Sequence, residues 1–368
     1  MITDFSANNY RLFREFSLSG LKRVNIIFGD SAAGKSSLLE AIKLSQSASP
    51  QTAANISASR GLPLVWQQNS GQNQFESLWG NLFFDFDINN AIDLSFTIAN
   101  TGDKKESKGH ANIFFDRTNS TVAFEMPQLM QNPLQDFLKA QTSLASVTPI
   151  VFLTEVDDAS QKSKAHINQN GILQFESPPA DIGLKTEMLP SPLTQGALQL
   201  AIAYSQLSIN KSDDTIKNAI IDKFPVISDI SIQATLQGPT LYADLHGIDK
   251  KIPFPLISSG INKILSILIT IASTKNGVVL IDEIENGIYF KNYEYLWRLV
   301  DEFSLANNTQ VFISSHSKEC VLAAKNIIME KSNNYSLIQM YLKDGNSDAI
   351  IRDSKVSIEA MENGIELR

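Results

Sequence analysis

The segment Gly29-Asp30-Ser31-Ala32-Ala33-Gly34-Lys35-Ser36 follows the pattern G-x-x-x-x-G-K-S. Two glycines at this spacing let the backbone curl until successive N–H groups point inward at phosphate oxygens. The lysine reaches the β- and γ-phosphates, and the hydroxyl after it faces Mg²⁺. Ser37 extends the hydroxyl run. The β-rich run 24–28 precedes the loop, and a helix is expected from Lys35 to about Ser45. That helix aims the positive end of its dipole at the same spot. A second segment, Val278-Val279-Leu280-Ile281-Asp282-Glu283, is an apolar strand that ends in two carboxylates. Beside a phosphate loop, Asp282 reads as the carboxylate on the metal side. Glu283, one residue on, reads as the group that polarises the attacking water.

Two further segments carry weaker local signals. In Val311-Phe312-Ile313-Ser314-Ser315-His316-Ser317 a strand delivers one histidine at its C-terminal end, where ligand groups gather in open α/β sheets. His316 is expected to contact the γ-phosphate or orient water; a helix cap or a packed side chain would give the same local pattern. Ser258-Ser259-Gly260 opens a helix, where hydroxyls and free N–H groups suit an anion. A plain N-cap has the same residues.

These groups need elements to hold them. Residues 46–74 are rich in Ser, Asn, Gln and Gly and read as a mobile insertion, helical at most in parts. Strands are expected at 82–86, 92–98, 112–115 and 121–125, with a polar hairpin tip at 100–110. Pro127 and Pro133 bracket a helix start, and 149–153 reads as a buried strand. Pro178, Pro179, Pro190 and Pro192 mark a linker. Helices are expected at 194–209 and 213–224, and paired strands at 229–236 and 240–245. The last third alternates: helix 260–274, strand 278–282, helix 290–307, strand 309–314, helix 318–331, strand 335–342. Alternation of this kind argues for a parallel sheet covered by helices.

Composition bounds the function. The chain has 368 residues, 43% of them hydrophobic and 19% charged, enough to bury a sizeable core. Its net charge of −8 excludes a generally basic nucleic-acid coat but leaves room for a local basic groove. Cys320 is the one cysteine, which excludes an internal disulfide and any site built on several thiolates. The N-terminus lacks the charge and apolar pattern of a signal peptide, and 264–272 is too short to cross a bilayer. A cytoplasmic protein without membrane contact is expected. Trp66, Trp79 and Cys320 read as packing residues, and Lys104, Lys105 and Lys108 as a solvated loop tip.

The order of these segments resembles ABC-type ATPase heads of the SMC, RecF and OLD kind. It is most similar to stand-alone bacterial AAA family ATPases, many of them in anti-phage defence modules. The resemblance is carried by residues 281–288, Ile-Asp-Glu-Ile-Glu-Asn-Gly-Ile, and by 309–320, which contain Ser-Ser-His-Ser. Asn9-Tyr10-Arg11-Leu12-Phe13 is similar to the usual start of such heads. Matched segments span about 1–45 and 250–330.

The resemblance implies an α/β fold: a P-loop NTPase of ABC-ATPase head type with an antiparallel β subdomain and a short helical insertion. The expected division is an N-terminal lobe at 1–150, an insertion at 151–228 and a C-terminal lobe at 229–368. It implies ATP and Mg²⁺ as ligands. The loop from Gly29 through Asp30, Ser31, Ala32, Ala33 and Gly34 to Lys35, Ser36 and Ser37 would bind the nucleotide, with Arg11 approaching it. Ser36 and Asp282 would hold the metal, Glu283 would be the general base and His316 the switch histidine. Ser259 and Gly260 would act in trans on a second subunit's nucleotide, and 285–287 would form the interface loop. Lys263 stands where related signatures carry arginine, and Thr154 and Glu155 stand where the lid glutamine is expected.

Three functions follow. The first is an ATPase that forms a homodimer or higher oligomer around nucleotide and controls a separate effector protein, because too little chain follows His316 for a fused nuclease. The second is a DNA-repair or DNA-tethering ATPase, which would want long coiled-coil arms or a basic groove. The third is a nucleotide-gated scaffold of low turnover, against which Glu283 argues.

Overall fold

The computed structural model describes residues 1–67, 71–99, 106–119, 147–168, 171–176, 182–191, 197–236 and 238–364. Its strands are β1 (Ile2–Tyr10), β2 (Phe13–Ser19), β3 (Val24–Gly29), β4 (Ile92–Ala99), β5 (Glu106–Phe115), β6 (Ile150–Val156), β7 (Ala159–Ile167), β8 (Leu173–Glu176), β9 (Thr186–Leu189), β10 (Ile227–Thr235), β11 (Gly238–Leu245), β12 (Ile252–Pro253), β13 (Val278–Ile281), β14 (Gln310–Ser314), β15 (Tyr335–Lys343) and β16 (Asn346–Arg352). Its α-helices are α1 (Lys35–Gln46), α2 (Pro50–Ser59), α3 (Gln72–Gly80), α4 (Ala197–Ile209), α5 (Asp214–Lys223), α6 (Ser259–Ser273), α7 (Tyr293–Ala306), α8 (Lys318–Leu322), α9 (Lys325–Lys331) and α10 (Ser354–Glu362).

A six-stranded sheet runs β16-β15-β3-β14-β13-β9. All neighbours in it are parallel except the edge strand β16. β13 and β14 are buried along their whole length, as parallel strands covered on both faces must be. Side chains alternate between two cores, because successive strand residues point to opposite faces. Val279 and Ile281 join the core built on α6 and α7. Val278 and Leu280 join the core shared with α1 and the second sheet. α6 is buried at every position from Lys263 to Ala272, so it is the central helix of its layer. Burial of each such aliphatic side chain contributes about 1.5–3 kcal/mol.

The second sheet is antiparallel, in the order β2-β1-β4-β5-β6-β7-β8. β4 alternates buried and half-buried positions along its length, the mark of a sheet with one face on the core. The Gln310 side chain ties the two sheets together: its Oε1 accepts from the Ile2 N–H at 2.7 Å, and its Nε2 donates to the carbonyls of Ile2 and Lys22 at 2.8 Å each. A three-stranded sheet, β10-β11-β12, and the hairpin α4–α5 cover the far side. The fold is thus α/β, with the expected antiparallel β subdomain and short helical insertion. The antiparallel sheet takes strands from both sides of residue 150.

Residues 46–74 are helical in parts, as expected, holding α2 and the start of α3. Composition masked a clear start signal: Ser49 Oγ accepts from the Thr52 N–H at 3.1 Å, with Pro50 in the first turn. Phe75 and Trp79 anchor α3 in the core, and Trp79 is packed against Phe152 and Phe175. Residues 82–86 are no strand: Phe83 makes a single bridge to Tyr10, and a 3₁₀ turn follows at Phe84–Phe86. The proline-marked linker holds β9, a strand of the central sheet. The hairpin β1–β2 and the pair β7–β8 escaped the pattern reading, and helix 318–331 is two helices broken at 323–324. The strand expected at 121–125, the helix start at 127–133, and Lys104 and Lys105 lie outside the described residues.

Candidate nucleotide site

The phosphate loop joins β3 to α1 and leaves no room for larger residues at its two glycines. Gly29 has φ 127°, and a Cβ there would lie 2.0 Å from the Met340 carbonyl oxygen on β15. Gly34 has φ 88° and caps α1. Asp30, Ser31 and Ala32 form the exposed rim of the loop, while Ala33 and Ser37 are buried beneath it. Lys35 is only 3% exposed, and its ammonium donates to the carbonyls of Gly29 at 3.0 Å and Asp30 at 2.7 Å. Burial pushes its pKa below the ordinary lysine value, opposed by the carboxylates of Asp30, Asp282, Glu285 and Glu283.

β14 lies beside β3 and β13 beyond it, in a parallel register that aligns Ile281 with Ile313 and Ser314 with Ile27. Three strand ends therefore deliver their residues to one place. The Asp282 Oδ1 accepts from Ser36 Oγ at 3.0 Å and from Ser314 Oγ at 2.5 Å. Ser314 Oγ in turn accepts from the Glu283 N–H at 2.9 Å. Glu283 has φ 46°, a left-handed backbone rare for a residue with a side chain. Its Oε1 lies 3.7 Å from His316 Nε2, and its Oε2 accepts from Ser191 Oγ at 2.6 Å. The His316 N–H donates to Glu285 Oε1 at 2.6 Å. His316 is not the cap of the helix that follows; Ser317 is, accepting from the Cys320 N–H at 3.1 Å. Cys320 is fully buried, as a packing residue should be.

The paired Ser36 hydroxyl and Asp282 carboxylate are hard oxygen donors, and two protein ligands suit an Mg²⁺ that takes its remaining oxygens from water and phosphate. Among the described residues no cluster of three or more His, Cys, Asp or Glu offers a competing metal site. The residues present thus fit a Mg-nucleotide.

Other expected residues sit apart from this centre. Arg11 ion-pairs through Nε with Glu40 Oε2 at 3.3 Å and donates to the Tyr10 hydroxyl at 3.2 Å. Glu40 is buried on α1 and also takes Arg60, through Nε at 2.6 Å and Nη2 at 2.9 Å. Arg60 Nη2 lies 3.5 Å from Ser37 Oγ. Two guanidiniums on one carboxylate leave a surplus positive charge one turn past the phosphate loop. Arg60 drew no notice in the sequence because it lies in the stretch read from composition alone.

Ser258 and Ser259, at the start of α6, are exposed, and Ser258 makes no side-chain cap. Gly260 packs on the loop after Glu283: a Cβ on it would lie 2.8 Å from the Gly287 carbonyl oxygen. Lys263, one turn into α6, is 3% exposed and reaches the Asp282 carbonyl at 3.4 Å. Burial lowers its pKa, and Asp282, Glu283 and Glu285 oppose that shift. Among the described residues no hydrogen bond or ion pair joins Ser259 or Gly260 to the phosphate loop. Thr154 and Glu155 lie on β6 in the antiparallel sheet; the strand on the edge side of β13 is β9, and the chain just after it brings Ser191 to Glu283 instead.

The chain is similar to several known proteins. Residues 149–321 match the family described as "AAA domain, putative AbiEii toxin, Type IV TA system". A Helicobacter pylori protein named ATP/GTP phosphatase is 23% identical over 346 residues, covering 90% of this chain and 89% of its own length. Among solved structures, an SMC head domain from Thermotoga maritima aligns at 12% identity and a TM-score of 0.47, covering 95% of this chain and 98% of its own. An SMC head from Pyrococcus furiosus with an extended coiled coil, bound to the C-terminal domain of ScpA, aligns at 11% identity and a TM-score of 0.48, covering 98% of each chain. A phosphate loop after β3, Asp282-Glu283 after β13 and His316 after β14 thus stand on one parallel sheet, in a chain whose segment 149–321 is similar to the AAA domain family.

Proposed function

We propose that the protein binds and hydrolyses ATP, dimerises around the nucleotide and controls a separate effector protein. The observation that carries this reading is the convergence of Lys35, Ser36, Asp282, Glu283 and His316 at three adjacent strand ends. Lys35 and the loop N–H groups neutralise the β- and γ-phosphates. Ser36 and Asp282 would hold Mg²⁺, which supplies further charge neutralisation on the phosphate oxygens. Glu283, pinned at its backbone by Ser314, accepts a proton from the attacking water, and His316 beside it helps orient that water.

The exposed, uncapped start of α6 supports a role for Ser259 and Gly260 on a second subunit's nucleotide, with Glu285-Asn286-Gly287 at the interface. A homodimer with two equivalent sites satisfies that role by two-fold symmetry. The similarity of 149–321 to a family tied to AbiEii toxin systems supports an effector on another chain and a defence setting. The net charge of −8 and the short α4–α5 hairpin give no support to a DNA-tethering role.

Glu283→Gln is the direct test. It should keep ATP binding, slow turnover by roughly 10²–10⁴-fold, the scale for losing a positioned base, and trap an ATP-bound dimer. Turnover near wild type would place the base elsewhere.

A further inference from the structure

We propose that Ser191 is a positioning residue for the general base, holding the Glu283 carboxylate so that one chosen oxygen faces the reacting water. This rests on reading Glu283 as the base. The placement follows from the sheet. β9 and β13 are parallel with Leu189 opposite Ile281, and the Asp282 N–H donates to the Leu189 carbonyl at 2.9 Å. Continuing that register past the strand ends sets residue 191 beside residue 283.

The hydrogen bonds then run one way. Asn286 Nδ2 donates to Ser191 Oγ at 2.7 Å, and an amide nitrogen can only donate. The single hydroxyl proton of Ser191 therefore goes to Glu283 Oε2, at 2.6 Å. With Oε2 engaged, Oε1 is the oxygen turned to His316, at 3.7 Å. Glu283 is half-exposed, and its long side chain has many rotamers open to it. Its backbone is held by Ser314 and its carboxylate by Ser191, so both ends are fixed before substrate is engaged. Among the described residues no hydrogen bond joins Ser191 to the phosphate loop, so it acts on the reaction through Glu283.

The test is a double-mutant cycle in steady-state ATP hydrolysis on the full chain. Ser191→Ala removes the hydroxyl while sparing the fold, which a thermal melt checks. It should lower kcat about tenfold, less than the roughly 10²-fold that a misplacement of about 1 Å can cost because the backbone stays held, and leave KM within about twofold. Ser191→Thr keeps the hydroxyl and should restore most of kcat. In a Glu283→Gln background, Ser191→Ala should change the residual rate less than about twofold, because the group it orients is already gone. The proposal is overturned by an unchanged kcat in Ser191→Ala, by a loss confined to KM, or by the same loss in both backgrounds. If Glu283→Gln itself turns over at the wild-type rate, the base reading has failed and the positioning role falls with it. If Glu283→Gln is slow and Ser191→Ala is not, only the positioning role is lost.

Discussion

Two ends of the site are built on opposite plans. Around the phosphate loop the reacting groups are tied to side chains from other elements: Ser36 and Ser314 meet on Asp282, Ser314 also takes the Glu283 N–H, and Ser191 donates to the Glu283 carboxylate. At the start of α6, Ser258 and Ser259 stand exposed at the end of a long apolar helix, with no side-chain cap. A preorganised constellation costs no reorganisation at the moment of reaction. An exposed helix start leaves its donors to water or to an incoming ligand or partner. The contrast is what the proposed dimer requires: one chain holds the reacting groups in place, and a second subunit would supply the wall that closes the site. Two buried lysines repeat the contrast: Lys35 serves the loop, and Lys263 serves the backbone of Asp282 from the α6 side.

The largest effect should come from the preorganised end. Lys35→Ala removes the cation facing the β- and γ-phosphates and should abolish ATP binding in a nucleotide titration. Unchanged affinity would break the phosphate-loop assignment outright, and with it the comparison.

The α6 end should answer differently. Ser259→Arg places bulk on the exposed start of the helix while leaving Lys35 untouched; Gly260 is a poorer target, because it already abuts the Gly287 carbonyl. The variant should bind ATP nearly normally, lose turnover and fail to form an ATP-dependent dimer. Mixing Ser259→Arg with Lys35→Ala subunits gives composite dimers with one intact site, and part of the ATPase activity should return. No recovery, with mixed dimers shown by sizing, would return Ser259 to a purely local role.

The smallest effect separates the two lysines. The native pKa of Lys263 is lowered by burial, so the unfolded chain binds more protons between that native value and the ordinary lysine value. Stability should therefore rise with pH through that alkaline window, and the cost of the buried charge is full below it. Lys263→Met should flatten that rise in denaturant melts taken across the window, while ATP affinity stays within about threefold, since Lys263 faces the Asp282 carbonyl and not the loop. A loss of ATP binding equal to that of Lys35→Ala would merge the two ends into one.

The sequence by itself determined what is local. A loop whose glycines, lysine and serine all serve one phosphate must keep them adjacent in the chain. An apolar strand must place its first polar residues, Asp282-Glu283 or Ser314-Ser315-His316, at its end. Hence Lys35, Ser36, Asp282, Glu283 and His316 could be picked out from spacing, along with the alternation of the last third. Only the tertiary structure decided what depends on register between distant segments. Ser191 and Glu283 are 92 residues apart in the chain and meet because β9 pairs with β13. β9 is four residues long and lies in a proline-marked stretch, too short to show a period of its own. Arg11 and Arg60 converge on Glu40 because the β1–β2 hairpin and α2 both pack beside α1, a meeting that no window of sequence contains. Side-chain periodicity is a property of one element. The pairing of two elements is settled by the core they share, and that core exists only once the chain has folded.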